Sequence, residues 1–121
     1  MRQLLPIVLL ASIAFAQPPD TLWTHVYPVS AVENLMALRQ TSDGGFLMIG
    51  LYDSSGPAHV INAFLRKTDE SGNVEWHRDY GGSEFDSFND GLLTSDGGYL
   101  MVGSTESFGA VYGGAYVVRT N

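Results

Sequence analysis

The stretch TSDGGFLMIG, residues 41–50, decides the fold of this chain, because it returns as TSDGGYLMVG at residues 94–103. The Asp-Gly-Gly part of each copy supplies the positive φ angles that a tight hairpin turn requires. The apolar run that follows is typical of an inner strand that is covered on both faces. Each copy therefore predicts a hairpin turn that leads into a buried strand.

Sequence matches also flank this stretch, with a spacing of 53 residues on its N-terminal side and 52 on its C-terminal side. Trp23 corresponds to Trp76 and Tyr27 to Tyr80, and after a slightly shorter loop the run 63–68 aligns with 115–120. The chain is therefore predicted to hold a repeat 1 at about 23–75 and a truncated repeat 2 at about 76–121. The residues that define the repeat motif are Trp23, Trp76, Tyr80, Asp43, Gly44, Gly45, Asp69, Gly72, Asp96, Gly97 and Gly98.

Each repeat has the pattern of four short strands joined by Gly and Asp turns, and helical periodicity of any length is missing. In repeat 1 we expect strands at 34–40, 46–50, 61–68 and 73–76. A single antiparallel meander cannot bury both of its apolar faces, so such units stack around an axis. The sequence thus predicts an all-β fold of four-stranded β-propeller blades, with lectin-like prisms and stacked β-solenoids as the competing architectures.

The number of repeats is too small for a closed propeller, since propellers have roughly four to eight blades and this chain has about two. Residues 22–27 are predicted to be the outer strand of a blade whose first strands are absent, and Asn121 aligns with Asp69. We therefore expect an incomplete propeller. It is either the N-terminal part of a protein with further C-terminal blades or a short chain that self-associates.

Three motifs together resemble the repeats of secreted bacterial β-propeller proteins. They are Asp69-x-x-Gly72-x-x-x-Trp76, Tyr80-Gly81-Gly82 and Thr94-x-Asp96-Gly97-Gly98, listed here in chain order. The first is also similar to the tryptophan-docking turn of quinoprotein-type propellers. The resemblance implies an exported repeat protein of the cell surface, and it implies no particular activity because propellers host many functions.

The N-terminus has the order of a secretory signal peptide. Arg2 is followed by an apolar run over residues 4–14, and Ala14-Phe15-Ala16 then predicts cleavage after Ala16. The run is too short for a spanning helix, which needs roughly 18–20 residues. We therefore expect a signal peptide at 1–16, a repeat region at 17–121 without a membrane span, and a secreted or periplasmic product.

Composition excludes several classes of site. The chain has 13 acidic and 6 basic side chains and a net charge of −7, which argues against nucleic acid as a partner. It has no cysteine, so disulfides and thiolate zinc sites are excluded. No metal or cofactor is predicted, because His25, His59 and His77 lack metal-binding spacing. The densest acidic stretch, with Glu84, Asp86 and Asp90, is expected to be a solvated loop between blades.

The function favoured by these patterns is a non-enzymatic binding or scaffold module for a carbohydrate or protein at the cell surface. Its binding face is predicted at the loops 53–58 and 107–114. Trp23 and Trp76 are expected to pack between blades rather than to stack on sugar rings. The alternative is the N-terminal part of a secreted propeller enzyme, either a glycoside hydrolase or a quinoprotein-type dehydrogenase.

Overall fold

The prediction of an all-β fold is confirmed. The computed structural model describes residues 19–27, 32–54 and 59–121, and within these ranges every regular element is a strand. The predicted signal peptide at 1–16 and the loop residues 55–58 lie outside the described residues. No helix in the described ranges is long and apolar enough to cross a membrane. The strands are β1 (Val32–Gln40), β2 (Phe46–Asp53), β3 (Ile61–Thr68), β4 (Val74–Tyr80), β5 (Asp86–Leu93), β6 (Tyr99–Thr105) and β7 (Gly114–Arg119).

The strands form two antiparallel meanders in chain order. The first sheet has the order β1-β2-β3-β4 and the second has the order β5-β6-β7. The register of the first strand pair shifts between Leu35 and Ala37 in the first sheet and between Phe88 and Asp90 in the second. The two irregularities thus lie 53 residues apart, as do the strands that contain them.

The hairpin turns at 41–45 and 94–98 have the same hydrogen bonds. In each, the Thr backbone N–H donates to a Gly carbonyl at 2.9 Å, and the Thr hydroxyl donates to the Asp carboxylate at 2.5 Å. Gly44 and Gly97 have φ angles of +85° and +88°, a region that side chains with a Cβ rarely adopt. The Asp-Gly-Gly sequence therefore forms the turn for the reason that the sequence suggested.

The core lies between the two sheets. Leu47, Ile49, Ala63 and Leu65 of the first sheet pack on Phe88 and Met101 of the second, and all six side chains are inaccessible to solvent. The sheets approach closely because β5 carries Gly91, where a Cβ would lie 2.8 Å from Ile49 Cδ1. Burial of these apolar side chains stabilises the contact between the two sheets.

The outer faces of the two sheets differ in their cover. On the outer face of the first sheet, Met48, Phe64 and Arg66 of the inner strands are at most 8% exposed, whereas Leu35 and Leu38 of β1 are 53% and 48% exposed. On the second sheet, the side chains of Leu92, Val102 and Val117 are 51%, 45% and 60% exposed. The second sheet thus keeps an apolar face in contact with solvent.

Residues 22–27 differ from the predicted outer strand. They lie in no strand of the described structure and pair with none of its sheet edges. Side chains hold the segment instead. Trp23 packs edge-to-face on Phe46 with ring centroids 5.8 Å apart, and the Tyr27 hydroxyl donates to the Gly72 carbonyl at 2.7 Å. The segment is therefore attached to the first sheet by aromatic packing.

Candidate functional site

Three connections meet at one edge of the two sheets, which we call the loop edge. They are the described residues 54, 59 and 60 of the β2–β3 connection, the β4–β5 connection at 81–85 and the β6–β7 loop at 106–113. The turns at 41–45, 69–73 and 94–98 lie at the opposite edge, because the strands alternate in direction. The loop edge holds a cleft of about 230 Å³ lined by His59, Val60, Ile61, Ser83, Glu84, Phe85 and Glu106.

The β6–β7 loop presents an apolar cluster, which we call the loop patch. It consists of Phe108, Val111 and Tyr112, whose side chains are 72%, 77% and 100% exposed. Two backbone hydrogen bonds fold the loop on itself: Ala110 N–H donates to the Ser107 carbonyl and Gly113 N–H to the Ala110 carbonyl. Phe108 itself has a φ of +56°. Because a bulky residue rarely adopts this conformation, the surrounding contacts must hold it there.

Asp86 anchors this loop from inside the molecule. Its carboxylate is inaccessible to solvent and accepts hydrogen bonds from the Gly82 N–H at 2.7 Å, the Ser107 hydroxyl at 2.8 Å and the Thr105 hydroxyl. The expectation of a solvated acidic loop is therefore wrong for Asp86, because this residue begins β5 and turns inward. Its bonds to Gly82 and Ser107 tie the β4–β5 connection to the β6–β7 loop.

The other acidic side chains of this region do not converge on a common point. Asp90 pairs with Arg39 at the junction of the two sheets, and Asp79 accepts a hydrogen bond from His77 at 2.6 Å. Nowhere in the described ranges do three His, Cys, Asp or Glu side chains gather closely enough to hold a metal ion. The region therefore offers separate ion pairs rather than a coordinated group.

A second concave surface, the aromatic groove, lies on the outer face of the first sheet. Its volume is about 350 Å³, and residues 22–27 form one wall. His25 Nε2 lies 2.8 Å from the Ser71 carbonyl, and this contact fixes the segment beside the turn at 69–73. The lining residues are Trp23, His25, Tyr27, Glu33, Leu35, Leu38, Met48, Phe64 and Arg66.

A buried ion pair forms the floor of the aromatic groove. Arg66 donates two hydrogen bonds to Glu33, at 2.9 and 2.6 Å, and the Arg66 side chain is only 6% exposed. Its guanidinium lies 5.0 Å from the ring centroid of Tyr27 and 5.3 Å from that of Phe64. Carboxylate and aromatic rings together compensate the desolvated charge. Sequence reasoning missed this pair, although Glu33 stands 53 residues before Asp86 and so marked the position.

Two further ion pairs link strand ends to the Asp-Gly-Gly turns. Lys67 contacts Asp43 at 2.9 Å and Glu75 at 2.8 Å, and Arg119 pairs with Asp96. Hydrogen bonds from Lys67 and Thr41 hold the pKa of Asp43 well below its ordinary value. Those from Thr94 and Arg119 lower the pKa of Asp96 to about 2. Burial lowers the pKa of Lys67, but its two carboxylate partners outweigh burial and the pKa is raised.

The turn that carries Asp69 and Gly72 is where the N-terminal aromatic residues attach. Asp69 accepts hydrogen bonds from the Ser71 and Asn73 backbone N–H groups at 2.9 and 2.8 Å, and Gly72 has a φ of +85°. A Cβ at Gly72 would lie 2.6 Å from His25 Cδ2 and 3.2 Å from Trp23 Cζ3. Glycine is therefore required here by both conformation and space.

The other aromatic motif residues pack between the sheets. Trp76 on β4 meets Tyr99 at the start of β6, with ring centroids 5.8 Å apart, and Tyr80 meets Phe88 at 5.4 Å. Both contacts hold β4 of the first sheet against the second sheet.

Comparisons with known proteins give no further guide to function. The chain matches no protein-family model, no curated protein and no solved structure. The loop edge, the aromatic groove and the open face of the second sheet are the surfaces that bear on function.

Proposed function

We propose that this chain is an exported, non-enzymatic β-propeller repeat protein, or the N-terminal part of one, with a binding or scaffold role at the cell surface or outside the cell. Each sheet would be one blade. Two antiparallel meanders that pack face to face, with matching turns and matching register shifts, support this arrangement. The signal-like order of residues 1–16 supports export.

The observation that carries the binding role is the loop patch. Phe108, Val111 and Tyr112 expose large apolar side chains together, although the loop that bears them is anchored by the buried Asp86. Single exposed apolar residues need no explanation, but three large ones on one short, anchored loop favour an interaction surface. A preformed loop also loses little conformational entropy when a partner binds.

The chemistry of the loop patch favours a protein partner over a carbohydrate. Tyr and Phe are enriched at the centres of protein interfaces, and Val adds aliphatic surface that a polar sugar does not match. Glu84 and Glu106 line the neighbouring cleft, and the whole chain has a net charge of −7. The partner would therefore present apolar anchors flanked by Lys or Arg.

A displayed random peptide library, selected on the immobilised chain, tests this proposal. We expect enriched peptides that combine aromatic or aliphatic residues with basic ones. Their affinity should fall at least tenfold for Tyr112→Ser, which removes a fully exposed anchor. Val74→Ser, at the opposite edge and half exposed, is the matched control and should bind as the wild type does.

A parallel binding assay tests the alternative that the partner is a carbohydrate. Insoluble cellulose, chitin and peptidoglycan sacculi are offered to the same three proteins. If a polysaccharide binds and Tyr112→Ser abolishes that binding, the partner is a carbohydrate and the protein assignment is wrong. If neither probe set binds through the loop patch, the binding role itself is overturned.

N-terminal mass determination after expression in a bacterial host checks cleavage after Ala16.

A further inference from the structure

The second sheet has an open edge at the position where the first sheet has a fourth strand. In the first sheet, β4 pairs with β3 from Ala63↔Tyr80 to Lys67↔Trp76. In the second sheet, β7 pairs with β6, and no described strand lies on its other side. The outer backbone groups of β7 therefore form an open edge, which is a template for an added strand.

Residues 22–27 pack against the first sheet, but they pair with no strand in the described structure. Trp23 meets Phe46 at 5.8 Å, and Trp76, which is 53 residues further on, meets Tyr99 at 5.8 Å. Phe46 and Tyr99 are also 53 residues apart. The segment thus lies on the first sheet as β4 lies on the second.

The sequence repeat also relates the two outer faces to the two sides of the contact between the sheets. Val102 and Val117 on the open face of the second sheet match Ile49 and Leu65, which are inaccessible to solvent in the contact between the sheets. The aromatic groove on the first sheet matches the other side of that contact, since Met48 corresponds to the buried Met101. Each outer face therefore resembles one half of the interface already present inside the chain, with Leu38 at the position of Gly91 and the smaller Val102 at that of Ile49.

We propose that a second copy of this chain binds head to tail at these two surfaces. Residues 22–27 of one copy add to β7 of the next as an antiparallel fourth strand, while the open face of that second sheet covers the aromatic groove. The register of β3 with β4 predicts the pairs Ala115↔Tyr27 and Arg119↔Trp23. This proposal rests on the blade arrangement proposed above, and it adds the occupant of both open surfaces.

Such a contact joins two different surfaces, so its geometry generates a closed ring or an open filament. Backbone pairing along β7 would supply affinity, and the side chains of the covered groove would supply specificity. Trp23 and Tyr27 already hold the added strand in place on its own copy. The partner therefore meets a strand that is ordered before binding.

Light scattering on the full chain over a range of concentrations tests the proposal, together with circular dichroism to confirm folding. We expect an assembly of several copies. Val117→Lys places a charge on the open face, where the side chain is 60% exposed, and should weaken association at least tenfold while the fold is kept. Val74→Lys is the matched control, half exposed on β4, and should assemble normally.

Cysteine trapping tests the register, because the chain has no cysteine of its own. Mixed Thr24→Cys and Val118→Cys chains should form a disulfide between copies, since the predicted register places these residues opposite each other. Thr24→Cys mixed with Val111→Cys, at the loop edge, should not. A folded wild-type monomer at every concentration, or an assembly that Val117→Lys leaves intact, overturns the proposal.

Failure of this proposal can be distinguished from failure of the binding role. The Val117→Lys chain keeps the loop patch, so peptides selected on the wild type should still bind it. Loss of assembly with retained peptide binding supports both proposals. If Tyr112→Ser loses peptide binding while Val117→Lys still assembles, the binding role is supported and the head-to-tail contact is overturned.

Discussion

The first sheet and the second sheet bind a carboxylate at corresponding positions, but they do so with different partner residues. Each sheet has a carboxylate at or next to the start of its first strand: Glu33 on β1 and Asp86 on β5, which are 53 positions apart. Glu33 reaches across its sheet to the guanidinium of Arg66, whereas Asp86 is closed over by Thr105, Ser107 and the Gly82 N–H. The longer Glu side chain spans to a cation, and the shorter Asp gathers local donors.

This difference has a consequence for each surface. The ion pair of the first sheet forms the floor of the aromatic groove, where the face is partly covered by residues 22–27. The carboxylate of the second sheet fixes the loop that bears Phe108 and Tyr112. The carboxylate near the start of the first strand therefore supports a groove in the first sheet and an exposed loop in the second.

Replacement of Asp86 should have the largest effect on stability. Asp86→Ala leaves three buried donors without their acceptor, and we expect the free energy of unfolding to fall by roughly 4 kcal/mol. Peptide binding at Tyr112 should fall with it, because Ser107 loses its anchor. Urea unfolding followed by circular dichroism measures the loss, and an unchanged transition would contradict the assigned network.

The matched change in the first sheet sharpens the comparison. Glu33→Ala leaves the Arg66 charge unpaired and should cost roughly 3 kcal/mol, near the lower end for a buried pair because the groove admits water. Adding Arg66→Met should recover most of that loss, since no charge then remains buried. No second replacement of this kind exists for Asp86, whose partners are neutral.

The face contacts differ as much as the carboxylates. Ile49 is inaccessible and Val102, its counterpart 53 residues on, is 45% exposed. Ile49→Ala should therefore cost roughly 2–3 kcal/mol, whereas Val102→Ala should stay within about 0.5 kcal/mol. Urea unfolding in the Val117→Lys background keeps the outer face open. Equal losses for the two variants would show that the sheets are covered alike.

Local turn chemistry is the part of the fold that the sequence predicts best. The turns at 41–45 and 94–98 form from residues that are neighbours in the chain, so Asp-Gly-Gly is enough to specify them. The order of the strands follows, because short turns join consecutive antiparallel strands.

Long-range partners could not be predicted in the same way. Arg66 and Glu33 are 33 residues apart, and the burial of Asp86 depends on Ser107, which is 21 residues away. Neither distance corresponds to a local pattern. Residues 22–27 have a strand-like sequence, but a strand also needs a neighbouring edge, and sequence alone does not say which edge is available.

The attachment of the N-terminal segment can be measured with two glycines. Gly97 has a φ of +88° and open space around it, while Gly72 has a φ of +85° and the His25 and Trp23 rings in contact. Gly97→Ala should cost about 1 kcal/mol for conformation alone. Gly72→Ala should cost about 1 kcal/mol more, because the rings must also move. Equal costs in thermal unfolding would mean that the segment does not bind the turn.

The smallest predicted effect is a difference between the two Asp-Gly-Gly turns in how much stability each loses at acid pH. Asp96 has its pKa lowered to about 2 from an ordinary 3.8, and Asp43 is lowered further by Lys67. A carboxylate with a lowered folded-state pKa stabilises the fold above its unfolded pKa, and this stability is lost as the pH falls through the folded value. Between pH 4 and 2, both turns should therefore weaken.

Asp43 should contribute more to this acid loss than Asp96, because its partner Lys67 is buried whereas Arg119 is half exposed. Asp43→Asn should flatten the fall in unfolding temperature below pH 4 more than Asp96→Asn does. Thermal unfolding of both variants at pH 7, 4 and 2 gives the two slopes. If Asp96→Asn flattened the acid limb as strongly, burial of the cation would not be what distinguishes the first turn from the second.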